Sequence, residues 1–202
     1  MTTDSHDWDA AYARDAPPPW DIGRPQPVFQ AVADAGGLSG RVLDIGCGTG
    51  EHTLLAAERG ADAYGIDLST RAIEQARAKA SSRGMDVRFD VADALALPAP
   101  EMPYDVVIDS GVFHVFDDAD RRSYVDVLRR ALRPGGAVYL MCFSDRQPGD
   151  WGPRRVSEGE LRTAFAGGWG VDLERTMMSV NPIEAVTEVQ AWFATISRNA
   201  GA

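Results

Sequence analysis

The stretch Val42-Leu43-Asp44-Ile45-Gly46-Cys47-Gly48-Thr49-Gly50 decides the fold of this chain. A short apolar run of the kind buried on both faces of a parallel sheet leads straight into alternating glycines. An amphipathic segment, Glu51–Arg59, follows directly. Glycines at a strand-to-helix junction let the backbone turn sharply and let a ligand approach within van der Waals distance, where a Cβ would collide. In open α/β sheets the crevice beyond the carboxyl ends of the strands is where ligands bind.

Outward from that turn, Val/Ile/Leu-rich runs alternate with longer amphipathic segments over residues 41–145. The pattern predicts strands at Arg41–Ile45, Ala61–Ile66, Asp86–Phe89, Tyr104–Asp109 and Ala137–Phe143, with helices at Glu51–Arg59, Thr70–Ser82 and Ala119–Leu132. Gly60, Gly84 and Arg133-Pro134-Gly135-Gly136 close the three helices. Beyond residue 145, Gln147–Arg155 reads as a Pro/Gly-rich loop, and Ser157 with Glu160 reads as a capping box. Val171–Val180 and Val189–Ile196 then read as an antiparallel pair turned by Asn181-Pro182. Ahead of the sheet, Trp8–Arg14 and Pro27–Ala35 read as helices, joined by a proline-rich connection. The organisation expected is one domain over 1–202, with an amino-terminal lid (1–40), a ligand-binding core (41–145) and a closing segment (146–202).

The chain has 202 residues, a length that suits one compact core, and a net charge of −10 from 30 acidic and 20 basic residues. Phosphate backbones are bound by Lys and Arg, so nucleic acid is disfavoured as a partner. Lys79 is the only lysine, and no function is read into that bias. Cys47 and Cys142 are too few for a disulfide framework and lack zinc-site spacing, so no metal and a reducing cytoplasmic setting are expected. The polar amino terminus is not a secretory signal, His6 within it is read as disordered, and no run reaches the ~18 apolar residues of a membrane span. Monomer and homodimer are both compatible with the sequence.

Three acids stand at three successive strand ends: Asp44 before the turn, Asp67 after the second strand and Asp93 after the third. A dinucleotide fingerprint needs Gly-x-Gly-x-x-Gly; counted from Gly46, Glu51 occupies the last glycine position, which weakens a nicotinamide oxidoreductase reading. A carboxylate at Asp44 suits a ligand with a positive or hydrogen-bond-donating end. Asp67 can accept from ribose hydroxyls and Asp93 from an adenine amino group. With Asp44, Gly46/Gly48/Gly50, Asp67, Asp93, Tyr104–Asp109 and Leu132-Arg133-Pro134-Gly135-Gly136 in order, the chain resembles the class I methyltransferases that use S-adenosylmethionine. The resemblance implies an α/β, Rossmann-like seven-stranded sheet, mostly parallel, with an antiparallel final strand pair. It implies S-adenosylmethionine as cofactor and S-adenosylhomocysteine as product. Asp44, Gly46, Cys47, Gly48, Gly50, Asp67, Leu68, Asp93, Ala94 and Ser110 are its expected contacts.

A second resemblance is shorter. Trp8, Tyr12, Pro19-Trp20-Asp21-Ile22-Gly23 and Pro27 look like the entry segment of the thiopurine, thiol and halide methyltransferase group, in which an aromatic arm closes over the cofactor. Trp20 is the expected cover, since an aromatic face stabilises a sulfonium by roughly 0.5–2 kcal/mol. Beyond the fourth strand the chain lacks the Asn/Asp-Pro-Pro-aromatic element of many DNA and protein-glutamine amino-methyltransferases. A small, aromatic or heteroaromatic O, N or S nucleophile is therefore the expected acceptor. Tyr12, Phe113, His114, Phe143 and Trp151 are candidates for contacting it, and His114 is either a general base or a residue that orders its loop or lines the cofactor pocket. His52 is read as a cofactor-side or surface residue, and Arg146, Arg154 and Arg155 as a solvated cluster or, alternatively, a site for an acceptor carboxylate. Alignment of the reacting atoms is worth about 7–11 kcal/mol, against about 3–5 kcal/mol for a base, so positioning should dominate. A binding module without catalysis is the remaining alternative.

Overall fold

A computed structural model describes residues 7–183 and 185–201. Seven strands form one sheet: β1 (Arg41–Ile45), β2 (Asp62–Asp67), β3 (Arg88–Val91), β4 (Tyr104–Ser110), β5 (Leu132–Phe143), β6 (Trp169–Ile183) and β7 (Val186–Arg198). Their order across the sheet is β3-β2-β1-β4-β5-β7-β6. The first five run parallel, and β7 is antiparallel to both β5 and β6. The helices are α1 (Trp8–Tyr12), α2 (Pro27–Asp34), α3 (Glu51–Glu58), α4 (Thr70–Ser82), α5 (Asp118–Ala131) and α6 (Glu158–Ala164). The expected topology holds throughout.

Strand periodicity divides the core. Along β5, Val138, Leu140 and Cys142 face Tyr124 and Leu128 of α5 and Leu161 of α6, whereas Met141 and Phe143 join Phe29 of α2 and Leu55 of α3 on the other face. A third cluster places Leu54 of α3 and Ile73 of α4 against Phe89 of β3. Helix starts follow local chemistry. Ser69 caps α4 through the Ala72 amide, Asp117 caps α5 through the Ala119 and Asp120 amides, and Ser157 with Glu160 forms the expected capping box of α6.

Several boundaries differ from the sequence reading. α1 ends at Tyr12, and β3 starts two residues later than expected. β5 already begins at Leu132, because Arg133-Pro134-Gly135-Gly136 forms an irregularity within the strand and not a break before it: Tyr104 pairs with Leu132, then Val106 with Ala137. The antiparallel pair is also longer than expected, and Asn181-Pro182 is not its turn. Both residues lie in β6, where the register shifts between Ser179 and Ile183. A proline, having no N–H to give the ladder, fits such an irregularity. His6 lies outside the described residues.

Candidate active site

The glycine turn follows β1 at the carboxyl edge of the sheet. Gly46 and Gly48 adopt φ of 65° and 54°. A Cβ at Gly46 would fall 2.2 Å from Cγ2 of Val112, and one at Gly48 would fall 2.8 Å from the Tyr12 hydroxyl. Both positions thus require glycine for conformation and for space. The turn is closed by the Gly50 amide bonding to the Cys47 carbonyl, and it is tied to β2 by the Cys47 amide bonding to the Ile66 carbonyl.

The acids of this edge are differently placed. Asp44 is buried beneath the turn and accepts from the Thr53 hydroxyl at 2.6 Å; burial raises its pKa to about 7. It supports the turn from within and is not open to a ligand, which corrects its expected place in direct contact with the cofactor. Asp67 accepts the Ser69 and Gly48 amides, each at 2.8 Å, and burial raises its pKa against the lowering effect of those bonds. Asp93 is exposed and accepts the Leu95 amide through one oxygen, with Ala94 half-buried beside it. Leu68 is 55% exposed at the end of β2, an apolar surface between these two acids in the chain. Ser110 ends β4, half-buried. Cys47 is buried and its thiol is held well above its ordinary pKa by burial, so it packs and does not react.

The amino-terminal segment lies over this turn. Trp20 donates its indole N–H to the Tyr12 hydroxyl at 2.9 Å, and its ring meets those of Trp8 and Tyr12 edge-on at 5.7 and 6.4 Å. Tyr12 therefore sits on Gly48 and not among the expected acceptor contacts. Asp9 accepts the Ser69 hydroxyl and the Arg71 amide, docking α1 on the start of α4. Thr49 donates to Asp21, and Lys79 donates to both Thr49 and Glu51. From the far edge of the sheet, the Asn181 side chain donates to the carbonyls of Pro18 and Asp21, and its amide to that of Pro19. Gln26 exchanges two bonds with the backbone of Ser179. His52 is half-buried and docks the amino-terminal segment: its Nε2 accepts the Gln26 amide, its ring packs on Phe29, and burial lowers its pKa to about 4.

At the ends of β4 and β5, His114, Phe143 and Trp151 form a chain of edge-on aromatic contacts, with centroids 5.2 and 6.1 Å apart. Phe113 does not join them. It is fully buried between Phe165 and the Arg121 guanidinium, which corrects its expected acceptor role. Nor is His114 placed as a base. Its Nδ1 accepts the Phe143 amide at 3.0 Å, Gly111 lies against Nε2, and burial lowers its pKa to about 3. The one basic lone pair is already used. Asp109, buried beneath, accepts the Val112 and Phe113 amides and the Tyr124 hydroxyl, so it fixes the loop that carries His114. Arg146 is exposed, and Arg154 pairs with Asp118 and Glu160. Arg155 is half-buried and does more than face solvent: its guanidinium donates to carbonyls of the Gln147–Pro153 loop and lies over Phe143 and Trp151.

Sequence reasoning missed Asp9, Asp21, Gln26, Thr49 and Asn181. Asp21 and Thr49 stood inside motifs already singled out. Lys79 was visible only as the single lysine.

The open sheet, its glycine turn and the acid after β2 define a nucleoside-cofactor enzyme of the methyltransferase kind. A family model described as a methyltransferase domain matches residues 42–136. A 2-heptyl-1-hydroxyquinolin-4(1H)-one methyltransferase from Mycobacteroides abscessus is 36% identical over 182 residues, covering 85% of this chain and 80% of the relative. A probable thiol methyltransferase from Arabidopsis thaliana is 25% identical over 189 residues, 92% of this chain and 83% of its own. A solved structure described as the conversion of a disulfide bond into a thioacetal group during echinomycin biosynthesis superposes with a TM-score of 0.85 at 38% identity, over 96% of this chain and 92% of that one. The chain belongs to the class I S-adenosylmethionine-dependent methyltransferases. Its cofactor is S-adenosylmethionine, and the nicotinamide alternative falls.

Proposed function

We propose that this enzyme methylates a small aromatic or heteroaromatic O, N or S nucleophile, held at the His114/Phe143/Trp151 wall under the amino-terminal lid. The observation that carries this reading is the wall itself, which stands at the carboxyl ends of β4 and β5 on the edge that also bears the glycine turn. A hydroxyquinolinone methyltransferase and a thiol methyltransferase among the relatives support the small-molecule class.

The donor set fits the cofactor. The carboxylate of Asp67 at the end of β2 suits ribose hydroxyls, exposed Leu68 offers an apolar face, and Asp93 with Ala94 lies where an adenine would stack and donate. Gly46 and Gly48 let the turn fold tightly under Val112 and Tyr12, and the methionyl part would lie along that turn with Tyr12 and Trp20 over it. Bound there, the cofactor supplies a methyl group already activated by the sulfonium charge. The chain's own residues align and desolvate. The lid excludes water, Asp109 and His114 fix the loop after β4, and Phe143 with Trp151 orients the acceptor ring. In this reading residues 1–40 act as the lid, 41–145 as the cofactor core and 146–202 as the acceptor side. The two free cysteines suit a cytoplasmic enzyme, and among the described residues no helix is long and apolar enough to cross a membrane.

The test is a panel of phenols, thiols and nitrogen heterocycles assayed for S-adenosylhomocysteine release. Turnover confined to aromatic members is expected. Release with none of them, by protein that binds the cofactor, would favour a binding module.

A further inference from the structure

The aromatic wall is bordered by guanidinium groups. Arg155, half-buried, has its Cζ 5.2 Å from the Phe143 ring centre and 5.9 Å from that of Trp151. Its partners at 2.7–3.1 Å are the carbonyls of Gln147, Gly149, Trp151 and Pro153. No carboxylate lies within ion-pair distance of it among the described residues, whereas Arg121 and Arg154 do have such partners. Carbonyl oxygens satisfy hydrogen bonds but cancel no net charge, so the cation of Arg155 stays uncompensated against the wall.

A second cation stands behind. Arg121 is buried, shares Glu160 with Arg154, and keeps Nη2 buried without a hydrogen-bond partner. The charges of Arg121 and Arg155 both disfavour a proton on His114. Asp145 and Asp150, the carboxylates of the same loop, are exposed, where solvent screens them most.

We propose that Arg155 is a specificity-determining residue that makes the wall a site for an acceptor bound as its aromatic anion, of phenolate or thiolate type. The inference rests on the small aromatic acceptor proposed above. It also accounts for a site with no available base. The acceptor proton leaves to water before transfer. The anion's lone pair then forms the bond to the methyl carbon, and the carbon–sulfur bond of the sulfonium breaks with its electron pair remaining on sulfur. Anion and cation give two neutral products, and no side chain takes a proton.

The test is calorimetric binding at pH 8 to enzyme saturated with S-adenosylhomocysteine, so that no turnover intervenes. The probes are 4-nitrophenolate against 4-nitroanisole, and 4-nitrothiophenolate against 4-nitrothioanisole, each pair differing in charge and one methyl group. The anion is expected to bind at least about tenfold more tightly, as a nearby unit charge without a counterion implies in a partly wet site. Arg155→Gln should bring the preference below about threefold, while Arg155→Lys, which keeps the charge and loses the planar fork, should retain most of it. Melting curves and S-adenosylhomocysteine affinity check that the loop change has not unfolded the protein. The comparison of probes on the unsubstituted enzyme stands even if a variant does not fold. Equal binding of anion and neutral probe overturns the anion site while leaving the aromatic acceptor standing. Binding of neither overturns both. Loss of the preference in Arg155→Lys as well as in Arg155→Gln overturns the role of charge and leaves Arg155 as a pin of the loop. Whichever anion binds more tightly decides between oxygen and sulfur.

Discussion

The carboxyl edge of the sheet has two halves that differ in which charge is left without a partner. Around the glycine turn stand Asp44, Asp67 and Asp93, the first two buried or nearly so and both with raised pKa. Around the aromatic wall stand Arg121 and Arg154, matched by Glu160 and Asp118, the buried Asp109, and Arg155, which among these arginines has no carboxylate partner. Methyl transfer from a sulfonium joins a cationic donor to an electron-rich acceptor. In the proposed reading the acids lie on the donor's side and the unpaired Arg155 on the acceptor's.

The most direct way to break the comparison is at Asp67. Asp67→Ala removes the acceptor for the Ser69 and Gly48 amides as well as the proposed ribose contact. Hydrogen bonds to a charged group are worth about 1.5–3 kcal/mol each, so cofactor affinity measured by calorimetry should fall by at least about 100-fold. Unchanged affinity would remove the acidic half from cofactor binding. A smaller effect is expected at Asn181, which straps the lid to β6 through the carbonyls of Pro18 and Asp21. Asn181→Ala loses two neutral bonds of roughly 0.5–1.5 kcal/mol each, which should raise the cofactor KM about tenfold and leave the acceptor KM near its original value. If the acceptor KM rises equally, the lid serves both halves and the division is less sharp.

The acidic half was legible in the sequence because its chemistry is local. A strand, a glycine turn and a carboxylate at the next strand end lie on contiguous stretches, and the topology follows from alternating patterns. The basic half was less legible. Phe113 and Phe143 look equivalent as aromatics near strand ends, and both are buried, but on opposite faces of the sheet: Phe113 against Phe165, Phe143 with Phe29 and Met141, where its ring also meets Trp151. His114 looked like a base because an isolated imidazole has the right pKa. What removes that role is the Phe143 amide, brought to it from β5 across 29 positions of chain. Asn181 is a similar case. Asn-Pro has the composition of a turn, and only the register shift against β7 shows that it lies within the strand and reaches back to the lid.

His114 offers the third test, on the basic half. His114→Asn keeps a short side chain with an oxygen able to accept the Phe143 amide. Removing a true general base would cost about 10²–10⁴-fold. With alignment dominant, kcat should fall less than about tenfold, and the pH dependence of kcat/KM for an acidic acceptor should follow that acceptor's own pKa in both proteins. A limb of the profile that disappears in the variant would restore His114 as the base.

The smallest effect concerns Asp44, whose carboxyl is raised by burial to about 7 from an ordinary value near 4. For such a group the stabilising contribution is fully present below the ordinary pKa and is lost as the pH rises through the folded value. The unsubstituted protein without cofactor should therefore melt progressively earlier, on account of this group, as the pH goes from 5 to 8. Asp44→Asn has no charge to bury and keeps an oxygen for the Thr53 hydroxyl, so its melting temperature should decline less over the same range. His52 and His114 are held neutral and act in the opposite direction below pH 6.5. They are common to both proteins, so the difference between the two melting curves isolates Asp44. Parallel curves would mean that Asp44 ionises at no cost, and the acidic half would then be a polar surface and not a buried negative charge. Should the curves diverge, adding S-adenosylmethionine should bring them together again, since a cation beside the turn lowers the cost of ionising the carboxylate beneath it.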